Sequence, residues 1–298
     1  MSERINTVSS YLKGVFGKKT VKLSIDGGFT CPNRDGTKGT GGCLFCSSQG
    51  SGEMASNIDD QIKLLEDKWP NAKYLAYFQN HTNTYAPVEE LREKYYTALN
   101  HPKVSGIAIS TRPDCLSNEA LDLLEEINNN HFCWVELGLQ TIHEKTAKEM
   151  NLCYTTDDYD RAISELNKRG IKTVVHLILG LPGETKDMMK ESLSYVCNSG
   201  AWGLKLHLLN LVKGSPMALK YPDYCSFESI DEYVNLVCDL IELTPPDIVI
   251  HRLTGDAPRK ILINPPWSYK KRTILNGINK ELARRDSYQG KYAAETVK

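Results

Sequence analysis

The sequence contains no run of about 18 uncharged apolar residues, so it offers no candidate transmembrane helix. Its first twenty residues, MSERINTVSSYLKGVFGKKT, lack the continuous apolar stretch of a secretion signal. Low-complexity tracts and internal repeats are also missing. These absences predict a cytoplasmic protein that makes no membrane contact.

The composition shows little sign of disorder and an uneven distribution of charge. Of the 298 residues, 41% are hydrophobic and 24% are charged, which is typical of one large or two small globular domains. The formal net charge of −1 conceals two basic ends, residues 1–22 and 259–298, and an acidic middle. Basic ends are either simply solvated or bind an anionic partner such as nucleic acid.

Short apolar runs alternate with amphipathic stretches, which indicates βα units and a parallel sheet. The runs predicted as strands are 21–25, 74–78, 106–110, 133–139, 172–179, 203–209 and 247–251. The stretches predicted as helices are 54–68, 87–99, 117–129, 143–150, 156–169, 185–199, 227–243 and 272–285. Because no linker interrupts the alternation, we expect an α/β fold with a partial (β/α)6 TIM-like barrel rather than a small open sheet.

Three segments follow from this pattern. Residues 1–20 are predicted to form an N-terminal basic segment and residues 21–255 the barrel. Residues 256–298 are predicted to form a basic C-terminal extension, because the prolines in Asn264-Pro265-Pro266-Trp267 favour extended backbone before the last helix.

The chain has nine cysteines, and an odd number in a chain of this length does not suggest a disulfide scaffold. Three of them, Cys31, Cys43 and Cys46, lie in one glycine-rich loop, separated by eleven and then two residues. This loop directly follows the first predicted strand. Loops after the strands of a parallel barrel form the face where active sites collect, so the sequence places these thiols at a candidate site.

Three thiolates favour an iron–sulfur cluster over zinc. A closed zinc site takes four protein ligands, and the loop contains no histidine to complete one, although a remote residue would serve. A [4Fe–4S] cluster with three cysteines keeps one iron open for an exogenous ligand. Zinc and incidental thiols remain as alternatives at this point.

The same residues resemble the radical S-adenosylmethionine (SAM) superfamily. Within it the chain is similar to the bacterial YhcC/YtqA family, which is related to the Elongator catalytic subunit and to oxygen-independent coproporphyrinogen oxidase. The resemblance extends from Asp26-Gly-Gly-Phe-Thr-Cys-Pro-Asn-Arg-Asp-Gly to Ser287-Tyr-Gln-Gly-Lys. It implies that Cys31, Cys43 and Cys46 hold a [4Fe–4S] cluster whose fourth iron binds SAM. It further implies an enzyme that cleaves SAM to a 5′-deoxyadenosyl radical, using a flavodoxin- or ferredoxin-type electron donor.

The resemblance also implies SAM contacts at the ends of the strands. Phe78 and Gln79 lie where relatives offer backbone acceptors to the methionyl ammonium. Glu136 and Gln140 lie where relatives place polar groups near the substrate and the ribose. An acid in an apolar strand needs a partner, so Glu136 is a candidate catalytic residue, with a structural ion pair as the alternative.

Two further strand ends complete the implied SAM site. His176, Ile178 and Gly180 belong to a string that resembles the adenine-side motif, although relatives often carry Asp at the position of His176. Leu209 and Asn210 match the segment that flanks adenine. His207, which precedes them, is equally a candidate for a site residue and for a core histidine.

One position departs from the family pattern. Relatives tend to carry Arg where this chain has Leu152, and in part of the superfamily that Arg pairs with the methionyl carboxylate. Arg112 or Arg161 is the candidate substitute. Cys115, near Arg112, is a second candidate catalytic residue, with an inert thiol as the alternative.

The substrate is predicted from charge. The basic side chains near the two ends of the barrel segment would contact phosphates and give salt-sensitive binding of an RNA, such as tRNA. They are Lys18, Lys19, Arg259, Lys270, Lys271 and Arg272. The alternatives are a radical SAM enzyme acting on a small metabolite and a non-catalytic iron–sulfur or zinc module.

Overall fold

The computed structural model describes residues 4–50 and 52–293. Within these residues seven parallel strands form one sheet in the order β1-β2-β3-β4-β5-β6-β8. They are β1 (Thr20–Ile25), β2 (Lys73–Phe78), β3 (Val104–Thr111), β4 (Cys133–Gln140), β5 (Thr173–Leu179), β6 (Gly203–Leu208) and β8 (Val249–Arg252). Two short strands, β7 (Leu211–Val212) and β9 (Leu262–Asn264), pair antiparallel beside the sheet.

Helices connect successive strands and cover the outer face of the sheet. In chain order they are α1 (Val8–Phe16), α2 (Ile58–Glu66), α3 (Val88–Leu99), α4 (Asn118–Asn130), α5 (Glu144–Glu149), α6 (Thr156–Lys168), α7 (Lys186–Cys197), α8 (Pro216–Lys220), α9 (Ile230–Leu243) and α10 (Lys271–Arg284). None of these described helices is both long enough and apolar enough to cross a membrane.

The sheet is curled into a partial barrel with two different faces. Outward side chains such as Leu23, Ile109 and Val135 pack with the helices in the main hydrophobic core. Inward side chains such as Trp134 and Val174 form a smaller cluster at the start of the strands, and polar side chains follow further along. This arrangement confirms the predicted α/β partial barrel, with β8 as a seventh parallel strand after the six βα units.

The first helix is the longest of the elements that sequence reasoning missed, the others being β7, α8 and β9. Residues 1–20 are described from residue 4 onward, and α1 lies within this basic segment. Thr7 caps the helix by accepting a hydrogen bond from the backbone of Ser10, and Gly17 ends it in the left-handed conformation at φ 67°. Leu12 of α1 packs against the inward cluster, and α1 contacts both edge strands of the sheet. The helix therefore closes the barrel at the end opposite the strand C-termini.

The C-terminal extension packs against the barrel as well. Ile274, Ile278 and Leu282 of α10 are fully buried with α9 in the main core. After α10, the Gln289 side chain donates a hydrogen bond of 2.8 Å to the Ile248 carbonyl and accepts one of 2.9 Å from the backbone of Asn6. The two ends of the described chain are thereby tied together beside β8.

We expect the contact of α1 with the barrel to contribute to stability. The substitution Leu12→Ala removes a buried side chain, so it should lower the free energy of unfolding by about 2–4 kcal/mol. Val15→Ala, on the exposed side of the same helix, should change it by less than about 0.5 kcal/mol. Urea unfolding of the three proteins measures the difference, and equal effects of the two substitutions would show that α1 is not part of the folded core.

Candidate active site

A cavity of about 580 Å³ lies inside the barrel at the C-terminal ends of the strands. Every one of the seven parallel strands, or the loop that follows it, contributes to the wall. The lining side chains most relevant to chemistry are Cys31, Cys43, Cys46, Tyr77, Gln79, Arg112, Glu136, Gln140, His176, Ile178, Lys205, His207, Leu209, Asn210 and Arg252. The three predicted cluster cysteines and most of the predicted SAM contacts therefore share one cavity.

The loop that carries the three thiols, residues 26–57, is fastened at both sides. Asn33, which is fully buried, donates from its side chain to the carbonyl of Asn151, and the Asn151 side chain donates back to the Gly42 carbonyl at 2.8 Å. The backbone of Leu44 donates to Met150 at 2.9 Å and accepts from Met217 at 2.8 Å. Segments from the β4–α6 region and from α8 thus hold the loop against the cavity.

A glycine is required at one point of this loop. Gly42 has a φ of 78°, which is the left-handed region, and a side chain there would come within 2.9 Å of the Arg34 guanidinium. Its position directly before Cys43 lets the chain turn so that the thiol of Cys43 lines the cavity.

The three thiols form a crowded and mostly buried group. Cys31 is buried, and Cys43 and Cys46 are half-buried. Burial, together with charge repulsion from the neighbouring Cys46 and Cys31, raises the pKa of the Cys43 thiol to about 12. Among the described residues no three His, Cys, Asp or Glu side chains are arranged to hold a single metal ion.

Arg112 is the cation at the thiol end of the cavity. It is buried, and its Nη1 atom lies 4.0 Å from Cys31 Sγ and donates to the Leu152 carbonyl at 2.9 Å. Asp114 holds the guanidinium in place through two hydrogen bonds of 2.9 Å. Burial alone would raise the pKa of Asp114, but Arg112 and Lys38 lower it, so the carboxylate stays charged.

Glu136 organises the inner part of the cavity. Its carboxylate is fully buried, and it accepts hydrogen bonds from six neighbouring side chains. They are Tyr77 at 2.7 Å, Trp134 at 2.9 Å, His176 at 2.9 Å, Ser110 at 3.3 Å, Lys22 at 3.5 Å and Lys205. Although burial would raise the pKa of Glu136, the charges of Lys205 and Lys22 hold it well below its usual range. The ion pair expected as an alternative for this acid is therefore present in the structure.

The histidines around Glu136 are held neutral. Burial lowers the pKa of His176 to about 4, and the charge of Lys205 adds to this effect against the attraction of Glu136. Burial likewise lowers the pKa of His207 well below its usual range, and the nearby His176 contributes. Near neutral pH these rings therefore act as hydrogen-bonding groups without charge.

Several buried polar atoms of the cavity wall have no partner among the described residues. They are Thr82 Oγ1, His207 Nε2 and Asn210 Oδ1. A buried polar atom without a hydrogen bond is costly, so these atoms are suited to receive polar groups of a ligand. Gln140 also lies on the wall, in a left-handed conformation with φ 70° at an irregularity in the pairing of β4 with β5.

Some predicted site residues lie beside the cavity instead of on its wall. The Phe78 side chain is in the outer core, and its carbonyl accepts a 3.1 Å hydrogen bond from Asn83. The Gly180 carbonyl accepts a 2.8 Å hydrogen bond from Tyr224. Cys115 has its thiol 3.6 Å from Asp114 Oδ1, and burial raises its pKa to about 12. Phe78, Gly180 and Cys115 are therefore not among the residues that line the cavity in the described structure, and the backbone contacts expected of Phe78 and Gly180 stay predictions.

The structure also shows which of the two arginines proposed to replace the family Arg at position 152 lies near the thiols. Leu152 is buried in an apolar cluster beside the cysteine loop. Arg112 reaches its carbonyl, as described above, whereas Arg161 is 75% exposed and pairs with Asp158 in α6. Of the two, Arg112 is the one near the thiols.

Sequence reasoning missed three further polar side chains of the barrel interior. Tyr77, Lys22 and Lys205 surround Glu136, and Lys205 is only 1% exposed. A signal was present, because Lys205 and His207 alternate with leucines along β6 and so must share one face of the strand. The structure shows which of the two faces points inward, because Lys205 and His207 line the cavity.

Comparisons with known proteins agree on the family and the fold. A family model described as "Radical SAM superfamily" matches residues 34–196, and one described as "Radical_SAM C-terminal domain" matches residues 201–284. The chain is 46% identical over 299 residues to the uncharacterized protein YtqA of Bacillus subtilis (strain 168), covering 97% of this chain and 93% of that protein.

Two more distant proteins share part of the sequence or the fold. A tRNA uridine(34) acetyltransferase of Methanocaldococcus infernus is 29% identical over 163 residues, which is 53% of this chain and 30% of that protein. The solved structure of the archaeal Methanocaldococcus infernus Elp3 superposes with a TM-score of 0.65 at 15% identity, covering 91% of this chain and 64% of that chain. That superposition shows the same fold.

The role of the three thiols is open to a direct test. Replacing Cys31, Cys43 or Cys46 singly by Ala should abolish the retention of iron and sulfide after anaerobic reconstitution, because each removes one of three ligands. Cys225→Ala, which removes an exposed thiol away from the cavity wall, should retain the metal of the unaltered protein. Iron and sulfide analysis gives the answer, and full iron content in Cys43→Ala would contradict the assignment.

A second prediction concerns the buried carboxylate. Glu136→Gln leaves Lys22 and Lys205 without their charge partner, so the free energy of unfolding should fall by about 3–5 kcal/mol. Glu126→Gln removes a partly exposed partner of Arg92 and should lower the free energy of unfolding far less. Equilibrium urea unfolding compares the two, and a loss at Glu136 no larger than at Glu126 would refute its organising role.

Proposed function

The chain belongs to the radical SAM superfamily, and we propose that it cleaves SAM at a [4Fe–4S] cluster in order to modify an RNA substrate of the tRNA class. When bound, the cluster and SAM together supply a 5′-deoxyadenosyl radical that abstracts a hydrogen atom from the substrate. The observation that carries the proposal is the position of the three thiols on one deep polar cavity, with an exposed basic segment at its rim.

The residues at the thiol end fit an iron–sulfur cluster. Cys31, Cys43 and Cys46 would be its ligands, and iron binding would deprotonate the Cys43 thiol, whose pKa burial raises. The Asn33 side chain lies 3.6 Å from Cys43 Sγ, and Arg112 lies 4.0 Å from Cys31 Sγ. Hydrogen bonds and a nearby positive charge of this kind stabilise thiolate ligands and tune the potential of a cluster.

The neighbouring wall fits SAM. Ile178 and Leu209 offer apolar surface suited to the adenine ring, and Asn210 and His207 offer the unpaired polar atoms described above. Gln79 and Gln140 lie on the same wall with side-chain amides suited to the polar groups of SAM. Arg112 fills the place of the family Arg, because it holds the carbonyl of Leu152 and carries the charge that Leu152 lacks.

Apolar packing around the cysteine loop would protect the radical from water. Leu44 and Phe45, next to the thiols, pack with Leu152, Ile178 and Met217 in a separate buried cluster. Such packing excludes solvent from one side of the cavity, which prevents side reactions of a reactive intermediate.

The RNA part of the proposal rests on the rim. We define the C-terminal rim as residues 257–272, of which Ala257, Pro258 and Ile261 line the cavity. Arg259, Lys260, Lys270, Lys271 and Arg272 of this rim are exposed. The Arg259 guanidinium lies 4.7 Å over the exposed ring of Tyr269, a pairing of aromatic and cation suited to a nucleobase and its phosphate.

The N-terminal lysines do not belong to this rim. Lys18 and Lys19 precede β1, whereas the cysteine loop follows it, so they lie at the opposite end of the barrel from the thiols. The expectation that both basic ends frame the mouth is therefore corrected, and the proposal uses the C-terminal rim alone.

Binding of total tRNA at two or more salt concentrations tests the substrate class. We expect affinity to fall as salt rises, with a shallower slope in a Lys270→Gln, Arg272→Gln double variant, by about one unit for each lost phosphate contact. A Lys18→Gln, Lys19→Gln double variant removes the same charge from the far end of the barrel and serves as the matched control. It should bind tRNA as the unaltered protein does.

The chemistry is tested separately from the binding. Reconstituted protein reduced with dithionite should form 5′-deoxyadenosine from SAM, and each cysteine-to-alanine variant should form none. Formation of 5′-deoxyadenosine without any salt-sensitive tRNA binding would refute the RNA substrate and favour a small metabolite. An intact cluster without 5′-deoxyadenosine would refute the enzyme and favour a binding module.

A further inference from the structure

The interior of the barrel below the thiols carries more positive than negative charge. Lys22, Lys205 and Arg252 project from three different strands towards this region, and Glu136 is the carboxylate that faces them. The next acid, Asp256, is 53% exposed at the rim and is already paired with Lys271 at 2.9 Å. One buried carboxylate cannot compensate three buried or half-buried cations, and uncompensated buried charge is costly.

The pKa values of Lys205 and Lys22 reflect this excess of positive charge. Burial lowers the pKa of Lys205 well below its usual range, and the charges of Lys22 and Arg252 lower it further against the attraction of Glu136. Burial lowers the pKa of Lys22 as well, and Arg252 again adds to the effect. An anion placed among these groups would relieve the repulsion between them.

Arg252 has free donors to receive such an anion. Its side chain is 24% exposed and lines the cavity, and its contact with Asp256 is a loose one of 3.6 Å. Among the described residues its guanidinium donates no hydrogen bond that meets ordinary geometric limits. A guanidinium has five N–H donors in a fixed fork that matches the two oxygens of a carboxylate or phosphate. A cavity-lining arginine whose N–H donors are unpaired is therefore suited to bind an anion.

The inner cations and the thiols lie at different depths in the barrel. Lys205 lies three residues before the end of β6, which corresponds to a depth of roughly 10 Å below the strand ends. The thiols and Arg112 lie in loops beyond the strand ends, where the resemblance puts the methionyl group of SAM. The inner cations are therefore available to a second ligand.

We propose that Arg252, together with Lys205, forms an anion subsite at the inner end of the cavity that holds a carboxylate or phosphate group of the substrate. This proposal rests on the proposed function, since it gives the substrate of the radical reaction an acidic group and a fixed orientation. Arg252 then acts as a specificity-determining residue, and Glu136 keeps Lys205 in place for the same anion.

Calorimetric titration of the cluster-loaded protein with SAM present tests the subsite, using acetate and inorganic phosphate as separate probes in chloride buffer. We expect saturable binding of at least one probe. Arg252→Gln should weaken it about tenfold or more, and Arg252→Lys should weaken it less because it keeps the charge but loses the fork. Arg284→Gln, which removes an exposed arginine of α10, should bind as the unaltered protein does.

The two probes identify the source of the anion. Tighter binding of acetate assigns the subsite to a carboxylate substituent, and tighter binding of phosphate assigns it to a phosphate group. Because the Arg252 side chain donates no hydrogen bond within the described residues and has only the loose contact with Asp256, Arg252→Gln should fold normally, and unchanged visible absorbance of the cluster verifies this.

Two outcomes overturn the proposal. In the first, neither probe binds saturably. In the second, Arg252→Gln and the unaltered protein bind the probes equally well. Either outcome leaves the proposed function intact if SAM is cleaved and tRNA binds. Anion binding that depends on Arg252, combined with no binding of tRNA, would instead uphold the subsite and refute the RNA substrate.

Discussion

The mutual clamp between Asn33 and Asn151 is the contact on which the rest of the site depends. A long loop with several glycines has many conformations in the unfolded chain, and ordering it carries a large entropic cost. The Asn33 amide donates to the Asn151 carbonyl and the half-buried Asn151 amide donates to the Gly42 carbonyl, so the two halves of the loop are joined to the segment after β4. The backbone hydrogen bonds that join Leu44 to Met150 and Met217 hold the same loop at a second point. The site is therefore built from local hydrogen bonds laid over a rigid parallel sheet.

The cavity has two ends with different electrostatics. At the outer end, Arg112 lies next to the thiol of Cys31, and Asp114 holds it there. At the inner end, Glu136 holds two lysines together inside the barrel. The apolar cluster around Trp134, closed by α1, lies beneath that inner end and separates it from solvent. A reactive group generated between the ends would meet an ordered polar wall and little bulk water.

The framework of the fold could be predicted from the sequence, because parallel strands that are buried on both faces appear in it as apolar runs. All seven predicted strands are present within two residues of their predicted bounds. The helix α1 was missed because its amphipathic pattern is only nine residues long and lies within a basic segment. The placement of Lys18 and Lys19 was wrong for a different reason: charge along the sequence does not reveal which end of a strand faces the site.

The inner cations were harder to find from sequence. Lys205 alternates with leucines in β6, but a single sequence does not tell which face of a strand points into the barrel until the closing element is known. The choice between Arg112 and Arg161 likewise depended on folding, since only the structure brings Arg112 to the carbonyl of Leu152.

The Mössbauer spectrum of 57Fe-reconstituted protein, recorded before and after SAM is added, tests the central claim most directly. If three thiolates leave one iron without a protein ligand, about one quarter of the iron signal should shift with SAM. Four irons that do not respond to SAM, or a preparation that holds zinc in place of iron, would contradict the account.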